Sequence, residues 1–167
     1  LRFYYDHIKT EVFIDRSKEL SYKEFQDFFS NKKTLSQLCY CRGRRRIGKS
    51  TLLSSISTKH KLFYFSGKQD ETTADCLKRF QNDWIKISNN KFLEKISPRN
   101  LSWEMLFEDI HSYIKSKQLI FVVDEIQWIA KNKAGFIGAI KNKWIDFEKS
   151  GNMRLVICGS SNKFFHN

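Results

Sequence analysis

The chain has 167 residues, with 30 Lys and Arg against 18 Asp and Glu for a formal charge of +12, and it is 41% hydrophobic and 15% aromatic. Such a composition supplies one globular domain with a core and excludes a disordered chain. The longest clean apolar run, Leu119 to Val123, falls far short of the roughly 20 residues a membrane span needs.

Short β-type runs alternate with helical stretches along the chain, the pattern of an α/β domain around a mostly parallel sheet. A helix is predicted over residues 18–31, a strand over 37–41, a helix over 49–60 and a strand over 62–65. Two amphipathic helices follow: 72–88, with Leu77, Phe80 and Trp84 on one stripe, and 103–115, with Trp103, Leu106, Phe107, Ile110 and Ile114. The single proline, Pro98, falls in the loop between them. Residues 119–124 read as a strand buried on both faces. A helix over 136–148 presents Phe136, Ile140 and Trp144, and a last strand covers 155–160.

The charge is unevenly distributed by type. Twenty-one of the basic residues are lysines dispersed among asparagines, whereas four of the nine arginines are Arg42, Arg44, Arg45 and Arg46. A positive field of this size attracts polyanions, which makes a basic nucleic-acid-binding module the runner-up reading, with dispersed lysines and aromatics on buried stripes weighing against it. The cysteines Cys39, Cys41, Cys76 and Cys158 have neither zinc spacing nor the density of a disulfide scaffold. Cys39 and Cys41 alternate on a strand and read as small buried hydrophobes, which with the absence of a visible signal peptide or span suits a reduced cytoplasm. Arg79, Arg99 and Arg154 are isolated in the sequence and read as surface residues.

Gly43 to Ser50 spells G-x-x-x-x-G-K-S between a predicted strand and a predicted helix, the context that makes this pattern informative. Its glycines let successive N–H groups point inward as an anion nest, and the helix adds its positive end. Lys49 is suited to reach the β and γ phosphates, Ser50 to coordinate Mg²⁺, and Thr51 is a second hydroxyl; Arg44, Arg45, Arg46, Ile47 and Gly48 complete the loop. Seventy-five residues beyond Lys49, "LIFVVDEIQW" delivers Asp124 and Glu125 at the C-terminal end of a strand, the edge at which open α/β sheets bind ligands. Asp124 is placed to hold Mg²⁺, and Glu125 to orient and deprotonate an attacking water. The strand "LVICGSSN" ends in Ser160 and Ser161, either of which can sense a γ phosphate.

These stretches resemble the archaeal-type ATPases of the AAA+ and STAND-related branch of P-loop NTPases. "FIDRSKEL" at 13–20 is similar to that group's N-terminal box, "GRRRIGKSTL" at 43–52 to its arginine-bearing Walker A loop, and "FVVDEIQWI" at 121–129 to its Walker B strand. "KNKWIDFEKSGNMRLVICGSS" is similar to the segment leading into its sensor strand. The resemblance implies a P-loop NTPase three-layer α/β/α fold incomplete at the C-terminus, ATP rather than GTP, and Mg²⁺. It also implies that Phe13, Ile14 and Asp15 border the adenine, that Arg16 stabilises that box, and that Ser160 is the sensor. On this reading residues 1–34 form a segment packing on the nucleotide site and 35–167 form the ATPase core.

Two expectations follow from the resemblance. The arginine run serves the nucleotide loop, with one arginine paired to Asp15 or Glu19, and nucleic acid would be met through a missing C-terminal domain or the basic surface. The implied strand order, 5-1-4-3-2, leaves the 37–41 strand as an exposed edge if the fifth strand is missing, to be covered by another segment, a homo-oligomer or a partner.

Overall fold

The computed structural model describes residues 2–5, 11–13, 28–29, 35–42, 61–130 and 135–159, and of 2–5, 11–13 and 41–42 the backbone only. The middle of its parallel strands is β5 (Leu119–Asp124) beside β6 (Met153–Gly159), and every residue of both is buried. Runs rich in Val, Ile, Leu and Phe with no polar alternation suit strands covered on both faces of a parallel sheet.

Outward from these lie β4 (Lys61–Ser66) on one side and β3 (Gln37–Arg42) on the other. Two short strands, β1 (Arg2–Tyr5) and β2 (Glu11–Phe13), complete the order β2-β1-β3-β6-β5-β4. The four strands β3, β6, β5 and β4 are mutually parallel, whereas β1 runs antiparallel to both β3 and β2.

The outer edge of β3 is therefore not exposed. Phe3 pairs with Cys41, Tyr4 with Tyr40 and Tyr5 with Cys39, so the chain's own N-terminal strand supplies the hydrogen bonds that the expected bare edge would have left open. "RFYY" is too short to announce itself as a strand, and its partner lies more than thirty residues away.

One sheet face is packed by three helices. The first, α1 (Thr73–Ser88), begins where the Thr72 hydroxyl accepts from Asp75 N–H at 3.2 Å, and ends at Asn89 with φ 57°. Cys76, Phe80 and Trp84 recur every four residues and are all buried. Phe80 alone sits 4.9 Å from the Phe63 ring and 4.8 Å from Phe65, both edge-on, and has no exposed surface; truncating such a residue to alanine costs about 3–5 kcal/mol.

A short helix α2 (Lys91–Glu94) and a turn of 3₁₀ helix at Pro98–Asn100 fill the stretch read as a loop. Ser102 then caps α3 (Trp103–Ile114). Asp109 on α3 accepts from Trp84 Nε1 at 2.6 Å and from Asn90 Nδ2 at 2.5 Å, tying α1 to α3 through polar groups. After β5 come a single-turn helix α4 (Ile126–Ile129) and α5 (Phe136–Ser150), which ends at Gly151 with φ 68°. Phe107 of α3 meets Phe136 and Phe147 of α5 at 5.4 and 6.2 Å between ring centres.

The opposite face carries Ile120, Val122, Asp124, Arg154, Val156, Cys158 and Cys39, all buried. Arg154 is only 6% exposed, so its reading as a surface residue is corrected: Nε donates to the Phe28 carbonyl at 3.1 Å and Nη1 to the Met153 carbonyl at 2.9 Å. A guanidinium can be buried when carbonyls accept its donors. Arg79 is likewise no isolated surface group, being ion-paired with Glu71; Arg99 is exposed as expected.

Candidate active site

Parallel strands in register end at a common edge. Arg42 pairs with Gly159 and Ser66 with Asp124, so the last residues of β3, β6, β5 and β4 line one rim of the sheet. The chain leaves β3 at Arg42 directly into Gly43, so the segment that begins G-x-x-x-x-G-K-S starts from this rim. Because β6 alone separates β3 from β5, Asp124 stands two strand spacings from that departure point, about 10 Å. At the same rim, Arg2 is paired with Arg42 on one side and with Phe13 on the other, which brings the end of β2 to the edge as well.

The strand ends thus bring together Asp124, Glu125, the exit toward the loop and the backbone of Phe13. Gly43, Arg44, Arg45, Arg46, Ile47, Gly48, Lys49, Ser50 and Thr51, together with Ile14, Asp15, Arg16, Glu19, Ser160 and Ser161, lie outside the described residues. So do the predicted helix 49–60 and all of 18–31 but Phe28 and Phe29, which are helical.

Asp124 is 1% exposed, and both carboxylate oxygens are engaged. The Tyr64 hydroxyl donates to Oδ2 at 2.5 Å, and the Glu125 N–H donates to Oδ1 at 2.8 Å. Hydrogen bonds to the charged form are what allow a carboxylate to stay buried. Glu125, by contrast, is partly exposed and adopts φ 49°, ψ 44°. A left-handed conformation at a non-glycine residue costs on the order of 1–3 kcal/mol and persists where its surroundings enforce it. Here it turns the chain sharply from β5 into α4, and the Gln127 side-chain amide donates to the Glu125 carboxylate.

Two residues that sequence reasoning missed hold this turn in place. Tyr64 lies one strand away on the face that carries Asp124, because Tyr64 is paired with Val122 and side chains alternate along a strand. Gly67, just past β4, donates its N–H to the Asp124 carbonyl at 2.9 Å. A Cβ there would fall 2.6 Å from the Glu125 carbonyl oxygen and 2.9 Å from Ile129 Cγ1, so glycine alone lets the two segments meet. The available signal was a glycine directly after an apolar strand in "FYFSG".

The segment beyond Gly67 is fastened by Arg79. Its guanidinium donates to Glu71 through Nε at 2.7 Å and Nη2 at 2.6 Å, donates to the Ser66 carbonyl at 2.9 Å, and lies 4.2 Å from the centre of the Phe65 ring. The Arg79 hydrogen bond holds the Glu71 carboxyl below the usual glutamate range. Burial pushes the neighbouring Cys76 thiol up to about 12, with the Glu71 charge adding to the effect, so it stays a neutral, inert thiol. Cys39 and Cys158 are also buried.

Residues 13–167 match the family described as an ATPase domain predominantly from Archaea. The chain belongs to this ATPase family. A solved structure, the Walker-type ATPase of Pyrococcus abyssi, superposes on the ATPase domain with a TM-score of 0.61 over 89% of this chain at 20% sequence identity. That likeness shows a shared fold, a mixed α/β arrangement around four parallel strands. The domain spans 45% of that relative's chain. No curated protein sequence matches it.

Among the described residues no group of three or more His, Cys, Asp and Glu could hold a metal ion, and no helix is long and apolar enough to cross a membrane. A closed cage is not what Mg²⁺ asks for in a nucleotide site, where one or two carboxylates act together with phosphate oxygens. The buried, oxygen-donating Asp124 at the rim fits that chemistry.

Proposed function

We propose that this ATPase domain binds Mg²⁺-ATP at the rim formed by β3, β6 and β5, and hydrolyses it as a nucleotide-driven switch or motor module of the AAA+ and STAND-related kind. One observation carries the reading: the strand register delivers a buried, doubly hydrogen-bonded Asp124 and a partly exposed Glu125 to the edge from which G-x-x-x-x-G-K-S departs.

The roles follow from the chemistry of each group. Backbone N–H groups from Gly43 to Gly48, through Arg44, Arg45, Arg46 and Ile47, cradle the phosphates, and Lys49 sets a positive charge against the β and γ oxygens. Ser50, backed by Thr51, and Asp124 supply oxygens for Mg²⁺, which when bound neutralises developing phosphate charge. Glu125, partly exposed and with Gln127 donating to its Oε2, orients a water and accepts its proton. Ser160 follows Gly159 at the rim and senses the γ phosphate, while Phe13 and Ile14 border the base. Arginine's planar fork suits phosphate oxygens and carboxylates alike, so Arg44 to Arg46 belong to the nucleotide mouth.

The burial of Phe63, Phe65, Phe80, Trp84, Trp103 and Phe107 supports this over a stacking-based nucleic-acid module, which needs aromatics at the surface. The test is Glu125→Gln. Mg²⁺-ATP affinity is expected to stay within about threefold while hydrolysis falls by ~10²-fold or more, the lower range for a general base. Unaltered hydrolysis would remove Glu125 from its role.

A further inference from the structure

The Tyr64 hydroxyl has no part in the roles above, yet it makes one of the shortest side-chain contacts at the rim. It reaches Asp124 Oδ2 at 2.5 Å from the neighbouring strand, while Glu125 N–H holds Oδ1 at 2.8 Å. Those two donors approach from different directions, one from a side chain of β4 and one from the backbone of the residue that follows. Together they fix the plane of a carboxylate that is 1% exposed. Tyr64 itself is half-buried.

We propose that Tyr64 is a positioning residue for the divalent cation: its hydroxyl orients the Asp124 carboxylate so that the remaining lone pairs face the rim where Mg²⁺-nucleotide binds. This rests on the nucleotide reading given above. A carboxylate held by one backbone and one phenolic donor loses little orientational freedom when the cation arrives, and its charge is stabilised beforehand. Removing the hydroxyl leaves the buried carboxylate with one donor fewer and less firmly oriented. The consequence falls on the cation, because the phosphates are held elsewhere, by the loop 43–51.

The experiment compares the affinity of a fluorescent ATP derivative in EDTA and in saturating Mg²⁺, for the parent and for Tyr64→Phe, with thermal melts of both. In the parent, Mg²⁺ is expected to tighten binding. In Tyr64→Phe that enhancement is expected to shrink by about tenfold, the scale of one hydrogen bond to a charged acceptor, while the EDTA affinity stays within about twofold of the parent. The double variant with Asp124→Asn is expected to show no loss of Mg²⁺ enhancement beyond that of Asp124→Asn alone, since the two groups act through one bond.

An unchanged or larger enhancement in Tyr64→Phe overturns the proposal while leaving the nucleotide reading standing. An equal fall in EDTA and in Mg²⁺ also overturns it, by assigning Tyr64 to structure. A parent that binds nucleotide no better with Mg²⁺ than without strikes at the reading beneath. Phe65→Leu, on the opposite sheet face, serves as the control: it lowers the melting temperature and keeps the Mg²⁺ enhancement.

Discussion

Gly67→Ala adds one methyl group where the sheet meets the turn at Glu125. The new Cβ would lie 2.6 Å from the Glu125 carbonyl oxygen, against the 3.4 Å at which ordinary contact begins, so one of the two backbones has to give by about 0.8 Å. Neither is free to do so cheaply. The Glu125 carbonyl accepts from Trp128 N–H at 2.9 Å, and Gly67 N–H is bound to the Asp124 carbonyl at 2.9 Å. Ile129 Cγ1 at 2.9 Å and Trp128 Cβ at 3.1 Å close the other sides. Overpacking of this kind costs about 1–3 kcal/mol, which in a domain of this size lowers the melting temperature by roughly 3–10 °C. The same shift displaces Glu125 by a large fraction of an ångström, and a misplacement near 1 Å costs on the order of 10²-fold in rate. Calorimetry and steady-state ATP turnover measure the two effects. Nucleotide affinity in EDTA should stay within about threefold, since the substitution leaves the sequence of residues 43–51 unchanged. A Gly67→Ala protein that melts and turns over like the parent would refute the close-approach reasoning.

The Arg79–Glu71 pair makes stability depend on acid. Glu71 titrates below its ordinary range in the folded protein, so as pH falls the unfolded chain takes up the proton first and the contribution is lost. Glu71→Gln should therefore lower the melting temperature at pH 7, and the difference from the parent should narrow progressively as pH falls below the usual glutamate pKa, about 4.3; a difference that does not narrow in acid would contradict the ion pair's role. Removing residues 1–13 uncovers the outer edge of β3, along which Tyr5 to Arg2 pair with Cys39 to Arg42. Light scattering should then show self-association that the parent lacks, whereas a monodisperse deletion variant would show that β1 does not protect that edge.

The elements that announced themselves in the sequence are those whose period is set by the core. Leu119–Val123 is an unbroken hydrophobic run, and the stripes of α1, α3 and α5 bury Phe80 and Trp84, Trp103 to Ile114, and Phe136 and Ile140, with Leu77 and Trp144 only partly buried. Asp124 and Glu125 stood out for another reason: alone the pair reads as a solvated helix cap, but it ends a buried strand 75 residues after Lys49 of G-x-x-x-x-G-K-S, so both segments are expected at one sheet edge. What stayed hidden depends on pairs distant in sequence. Tyr64 reads as one more aromatic in "LFYF", and only the register of β4 on β5 turns its hydroxyl onto a carboxylate sixty residues on. Gly67 is an ordinary glycine until α4 is laid against it. Arg154 sits alone in a strand sequence, and the carbonyl of Phe28 that satisfies it is more than a hundred residues away. The single-turn helices α2 and α4 are too short to show a period at all.

The central proposal, that the rim binds ATP through the loop 43–51, is tested most directly by the affinity of Mg²⁺-ATP for the parent and for Lys49→Ala, measured by titration calorimetry on protein that melts cooperatively. Loss of the lysine's contact with the phosphates should weaken binding by at least about 10²-fold, as expected for a buried charge-assisted contact. Equal affinities in the two proteins would contradict it.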